Sequence, residues 1–131
     1  MLSREIHNSR FITRGNPHGR SGADTVFEYA VAEADLITGT YSGGDIRSGQ
    51  IVGKITGADA IELRFQCITT TGELLSGLSQ GRVSRDPAGL LCLDFEWAWL
   101  SSNQGGGTSS YVELPAITIT SAAQQTNAAD R

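Results

Sequence analysis

At 131 residues the chain has the length of one domain, enough to bury a core without disulfide or metal staples. Its 10 Lys and Arg against 14 Asp and Glu leave a net charge of −4. That balance argues against nucleic acid or an anionic membrane as partner, since both require a basic footprint.

The opening stretch MLSREIHNSRF carries charge at Arg4, Glu5 and Arg10 and has no apolar run. It reads as neither a secretory signal nor a membrane span, so a cytoplasmic location is expected. Beyond it the apolar residues alternate between polar or glycine-rich breaks, and nothing reads with a helical period. RFIT, from Arg10, is a short first strand. DTVFEYAVA puts Phe27, Tyr29 and Val31 on one face, and LITGTY follows from Leu36 after the turn EAD. SGGD breaks the chain before IRSGQIVGKIT, where Ile51 and Ile55 share a face.

AIELRFQCIT is the cleanest alternation: Ile61, Leu63, Phe65 and Cys67 on one side, Glu62, Arg64 and Gln66 on the other. ELLSGLSQGRV comes next, then the turn SRDPAG, in which Pro sets φ and Gly permits a positive φ. LLCLDFEWAWL aligns Leu91, Leu93, Phe95, Trp97 and Trp99 against Cys92, Asp94, Glu96 and Ala98. SSNQGGGTSS reads as a flexible loop, and YVELPAITI as a last strand interrupted by Pro115.

About eight strands with short connections must pair antiparallel in an up-and-down meander, because parallel crossovers need longer links. Closure, full or nearly so, removes the two exposed edges and leaves an interior wide enough for side chains or one small ligand. The expected fold is therefore an all-β antiparallel barrel over residues 1–120, with 121–131 as a disordered tail.

The stretch GTYSGGDIRSGQIVGKITG places six glycines in nineteen residues. A phosphate-cradling loop would lead into a helix N-terminus, and here the glycines lead into another strand. Gly43 and Gly44 are read as a hairpin turn, and Gly39, Gly49 and Gly53 as bends or bulges within strands.

Catalytic and metal readings find little to use. The two histidines, His7 and His18, flank the first strand, outside the expected core, where neither can serve a serine or cysteine nucleophile. Two histidines with two dispersed cysteines match no metal-ligand spacing. Cys67 and Cys92 face opposite sides of their strands, which forbids a disulfide, and each reads as a small buried side chain. No catalytic residue, metal or cofactor is expected.

Two faces then compete for the interior. Burying Leu91, Leu93, Phe95, Trp97 and Trp99 together stabilises far more than hiding Asp94 and Glu96, so the acids are read as solvent-facing. In the competing reading the polar face lines the lumen and Arg64 pairs with Glu96. The candidate ligand site combines Tyr41, Phe65, Trp97 and Trp99 around an apolar cavity, with Arg64 or Glu96 supplying polarity. It lies at the open end of the barrel, beside the glycine loop.

The motifs GTYSGGDIRSGQIVG, ELRF, TTGELLSGLSQGR, FEWAW and SSYVE occur in that order between Phe27 and Glu113. This pattern resembles a group of small bacterial β proteins labelled N-acetylglutamate-synthase-like. The likeness rests on Gly39, Tyr41, Gly43, Gly44, Gly49, Arg64, Gly72, Glu73, Gly77, Glu96, Trp97 and Trp99. It weakens at Phe65 and Gln66, where the group favours Tyr and a His-like residue. The resemblance implies an avidin- or lipocalin-like meander barrel and carries over no catalytic residue.

Three functions are expected in order. The first is a non-catalytic binding module for a small apolar or amphipathic ligand, which requires a cavity of a few hundred Å³. The second is a structural or interaction module whose barrel face or edge binds a partner or itself, as a homo-oligomer such as a homodimer, which predicts a filled interior and either an exposed apolar patch or a stable dimer. The third is acetyl transfer, whose usual strand–turn–helix for the coenzyme pyrophosphate is not seen in this pattern.

Overall fold

The computed structural model describes residues 2–17, 19–101 and 105–115. A short helix, α1 (Leu2–Ile6), precedes eight strands: β1 (Ser9–Gly15), β2 (Val26–Glu33), β3 (Leu36–Gly43), β4 (Ile46–Ile55), β5 (Ala60–Thr69), β6 (Leu74–Arg85), β7 (Leu91–Trp99) and β8 (Gly106–Glu113). Each strand pairs antiparallel with the next, and β1 pairs with β8 through Phe11↔Glu113 and Thr13↔Tyr111, so the barrel is closed. The expected meander holds.

Alternation decides which side chains enter. Ile61, Leu63 and Cys67 of β5 and Leu91, Leu93, Phe95 and Trp97 of β7 are buried, while Arg64, Gln66, Asp94 and Glu96 face out. The inner face of β7 is thus its apolar one. The rival reading, with Arg64 paired to Glu96 in the lumen, is overturned: Arg64 bonds Glu62 on the outer surface at 3.3 Å.

The interior is packed by a repeated device. Tyr29 pairs in register with Gly39, Tyr41 with Gly49, Leu63 with Gly53, Phe65 with Gly77, Phe95 with Gly81 and Trp97 with Gly107. A methyl added at Gly49 would collide with the Tyr41 ring, at Gly77 with the Phe65 ring, and at Gly81 with the Phe95 ring. This corrects the expectation of bulges at Gly39, Gly49 and Gly53, which sit in regular register. The register shifts lie elsewhere, between Thr13 and Gly15, Val31 and Glu33, Tyr41 and Gly43, and Ile46 and Ser48. The in-strand glycines leave room for a large ring to lie across the neighbouring strand. Positive φ is needed at the hairpin, where Gly43 and Gly44 take φ of 111° and 60°.

Two sequence expectations fail locally. α1 was not anticipated, since five residues show no period; its Leu2 and Ile6 are buried and plug the end of the barrel where β1 begins. Glu5 pairs with Arg85, and His7 Nδ1 accepts a hydrogen bond from the Val31 N–H at 3.0 Å. The last strand also begins earlier than expected: GGTSS belongs to β8, whose described extent ends at Glu113, two residues before Pro115. The loop residues pair because their backbone meets Phe95, Glu96, Trp97 and Ala98 of β7 in register. The 116–119 stretch of the expected strand, His18 and the 121–131 tail lie outside the described residues.

Gly77→Ala should destabilise the barrel by about 1–3 kcal/mol, because its Cβ would meet both the Phe65 ring and the Ala98 carbonyl oxygen, the latter at 2.7 Å. Gly57→Ala, whose Cβ would meet only Ala60 Cβ at 3.6 Å, should change little. Thermal melts of the two variants check this: equal melting temperatures would refute the packing role of the in-strand glycines.

Candidate functional site

A cavity lies at the barrel end opposite α1, beneath the connection between β1 and β2. Its free volume is about 60 Å³. The walls are Tyr29, Tyr41, Phe65, Phe95, Trp97, Trp99 and Tyr111, and Asn16, Gly19, Arg20 and Ser21 of the β1–β2 connection line its mouth. Ring packing sets the walls. Phe27 stacks on Tyr41 with centroids 4.8 Å apart, Tyr111 meets Phe27 edge-on, and Trp97 meets Trp99 edge-on at 4.9 Å.

Of the six sequence candidates, the fold gathers Tyr41, Phe65, Trp97 and Trp99 around this cavity. It does not bring Arg64 and Glu96 to it. Both occupy the outward positions of β5 and β7, where Arg64 meets Glu62 and the Glu96 backbone pairs with Gln80 and Thr108. Odd and even residues of a strand cannot share a face, so Arg64 and Phe65 could never have lined one cavity.

The polar lining came instead from residues that sequence reasoning passed over. Ser79 of β6 and Ser109 of β8 are buried at inward positions, and Cys67 is a buried free thiol beside the Tyr41 hydroxyl. The inward parity of Ser79, between Gly77 and Gly81, was a usable signal. The connection residues had none beyond their number and polarity. Asn16 Nδ2 and Thr13 Oγ1 both donate to Ser21 Oγ, at 2.9 and 3.0 Å, which ties the connection to the barrel mouth.

Electrostatically the cavity is neutral. Burial pushes the Tyr41 and Tyr29 hydroxyls far above their ordinary range, with smaller upward contributions from Cys67 at Tyr41 and from Tyr111 at Tyr29. Burial also raises Tyr111, partly opposed by hydrogen bonding to Ser109 and Ser21, and raises the Cys67 thiol against the influence of Tyr41 and Arg20. Among the described lining residues Arg20 is the one charged side chain, and it sits at the mouth. Two buried polar atoms on the lining, Trp97 Nε1 and Asn16 Oδ1, find no hydrogen-bond partner among the described residues. Nor do three His, Cys, Asp or Glu side chains gather there as a metal site would require.

An eight-stranded closed meander with an aromatic cavity at one end is the setting in which the comparison with known families is decisive. The model of the avidin-like protein family matches residues 4–114. The chain belongs to the avidin-like protein family. No curated protein and no solved structure gives a significant match. The matched span runs from within α1 to Leu114, the first residue after β8, so it takes in every strand of the avidin-like barrel and all the cavity walls.

The raised phenol and thiol groups give the avidin-like barrel a defined alkaline limit. In the unfolded chain tyrosines ionise near pH 10 and thiols near pH 8.5. The folded groups hold their protons longer, so their stabilisation is complete below those values and lost as pH rises beyond them. Melting temperature should therefore fall steadily above about pH 9, and the fall above pH 10 should be shallower in the Tyr29→Phe/Tyr41→Phe variant. A parallel decline in the two proteins would refute the assignment.

Proposed function

We propose that this avidin-like barrel binds a small uncharged molecule, or the uncharged head of a larger one, without transforming it. The observation that carries this reading is the pair of unpartnered buried atoms, Trp97 Nε1 as donor and Asn16 Oδ1 as acceptor, on one neutral aromatic cavity. Buried polar groups cost free energy unless paired, so a ligand carrying both an acceptor and a donor gains more here than an apolar one. A charged head is disfavoured, because the raised Tyr and Cys groups leave nothing inside to compensate it.

Size limits the proposal. The free volume of about 60 Å³ falls short of the few hundred Å³ expected of a pocket for a whole metabolite. It accommodates a head group of a few heavy atoms, and a larger ligand requires the β1–β2 connection to move aside. Arg64 and Glu96 are left out, and Tyr41, Phe65, Trp97 and Trp99 remain as walls. Acetyl transfer gains no support, since the turns at Gly43–Gly44, Gly72 and Gly89 all lead from strand to strand.

A specific observation favours a second reading, self-association. Val52, Ile68, Leu74 and Leu100 are 51%, 40%, 72% and 58% exposed, and all lie on the outer surface of β4 to β6 or just past β7. Val52, Arg64, Leu78 and Ala98 follow one another in register across this face. Such a patch is of the kind that pairs with another copy.

A thermal-shift screen separates the two. The panel holds neutral amides, ureas and alcohols together with biotin, acetyl-CoA, glutamate and fatty acids. A ligand at about 100 times its dissociation constant adds roughly 2.7 kcal/mol, several degrees for a domain of this size. The expected result is a shift by a neutral hydrogen-bonding compound that Tyr41→Phe or Trp99→Ala reduces. A silent panel, with a dimer in sedimentation that Val52→Glu dissociates, transfers the function to the outer face.

A further inference from the structure

We infer that residues 19–22 form a lid over the cavity, latched by an ion pair between Arg20 and Glu73. The two barrel ends are closed differently. At one, α1 buries Leu2 and Ile6 as an apolar plug. At the other, Gly19, Arg20 and Ser21 line the cavity mouth, and the contacts that hold Arg20 and Ser21 there among the described residues are polar. The tip of this segment reaches the β5–β6 hairpin, where Arg20 Nη1 and Nη2 meet Glu73 Oε1 and Oε2 at 2.8 and 3.3 Å.

The geometry distinguishes a hinge from a latch. Thr25 is fully buried; its Oγ1 donates to the Gly43 carbonyl at 3.0 Å and its N–H donates to Gly22 O at 2.9 Å. This anchors the foot of the segment. Gly22 belongs to that foot, its own N–H donating to Thr25 Oγ1 at 3.1 Å, so opening turns the backbone between Gly22 and the tip at Arg20. Opening breaks the Arg20–Glu73 fork and the hydrogen bonds on Ser21 Oγ, and leaves every strand pairing intact.

Both partners of the latch are half exposed, 41% for Arg20 and 45% for Glu73. Water and salt therefore screen it, and such a pair biases an equilibrium only a few-fold. That is too little to matter for folding and enough to set how often the cavity opens. The inference concerns access to the cavity, so it stands or falls apart from the identity of any ligand.

Acrylamide quenching of tryptophan emission reads it directly, because Trp97 and Trp99 are the chain's two tryptophans and both line the cavity. Glu73→Gln and Arg20→Gln should each raise the quenching constant roughly two- to fivefold at unchanged melting temperature. The charge-swapped Arg20→Glu/Glu73→Arg protein should return toward the wild-type value. Wild type in about 1 M NaCl, where the Debye length is about 3 Å, should quench like the single variants. Arg85→Gln, which loses the ion pair at the plugged end, should leave quenching unchanged. Wild-type quenching that ignores salt, single variants that quench like wild type, or a swap that fails to restore, would each overturn the latch. Should a variant not fold, the salt titration of the wild type decides alone.

Discussion

The structure depends on one steric constraint: an eight-stranded barrel is too narrow to hold a bulky side chain at every inward position of its neighbouring strands. The chain meets it by setting glycines against six large inward groups, Tyr29 on Gly39, Tyr41 on Gly49, Leu63 on Gly53, Phe65 on Gly77, Phe95 on Gly81 and Trp97 on Gly107, and by stacking Phe27 flat on Tyr41 where two rings do pair. The Tyr41, Phe65 and Phe95 rings occupy the space that a Cβ on Gly49, Gly77 or Gly81 would take.

The pairs are not spread evenly. Toward the α1 end the interior is closed by aliphatic side chains such as Ile37, Ile61, Leu91 and Leu93 and by the helix itself. Toward the other end it is lined by Tyr, Trp and Ser, whose hydroxyl and N–H groups cannot be satisfied by packing alone. A polar connection rather than an apolar helix covers that end. The barrel thus has a sealed floor and a wettable mouth, and burial keeps the lining phenols and thiol protonated. A cavity of this character selects ligands by hydrogen-bond pattern and shape more than by charge.

The candidate site was partly legible because strand parity is legible. Phe65 shares a face with Leu63 and Cys67, and Trp97 and Trp99 share one with Phe95, so period-2 alternation alone puts them together. The same rule excluded Arg64 and Glu96, whose neighbours on either side are inward. Asn16, Arg20 and Ser21 were invisible for a different reason: a loop's path over a barrel mouth is set by contacts made only after closure, here with Thr13, Gly43 and Glu73.

By itself the sequence determined the strand number, the antiparallel meander and which residues of a strand share a face, because alternation and turn chemistry act over a few residues. It also marked the glycines without revealing their purpose, since a glycine that bends a strand and one that makes room for a ring look alike in one dimension. Only the tertiary structure decided that β1 closes on β8 and that LSREI becomes a plug. It alone decided, too, that GGTSS joins the last strand and that Arg20 meets Glu73 across 53 residues of chain. Those outcomes rest on contacts between segments far apart in sequence, which exist only once the cylinder has formed.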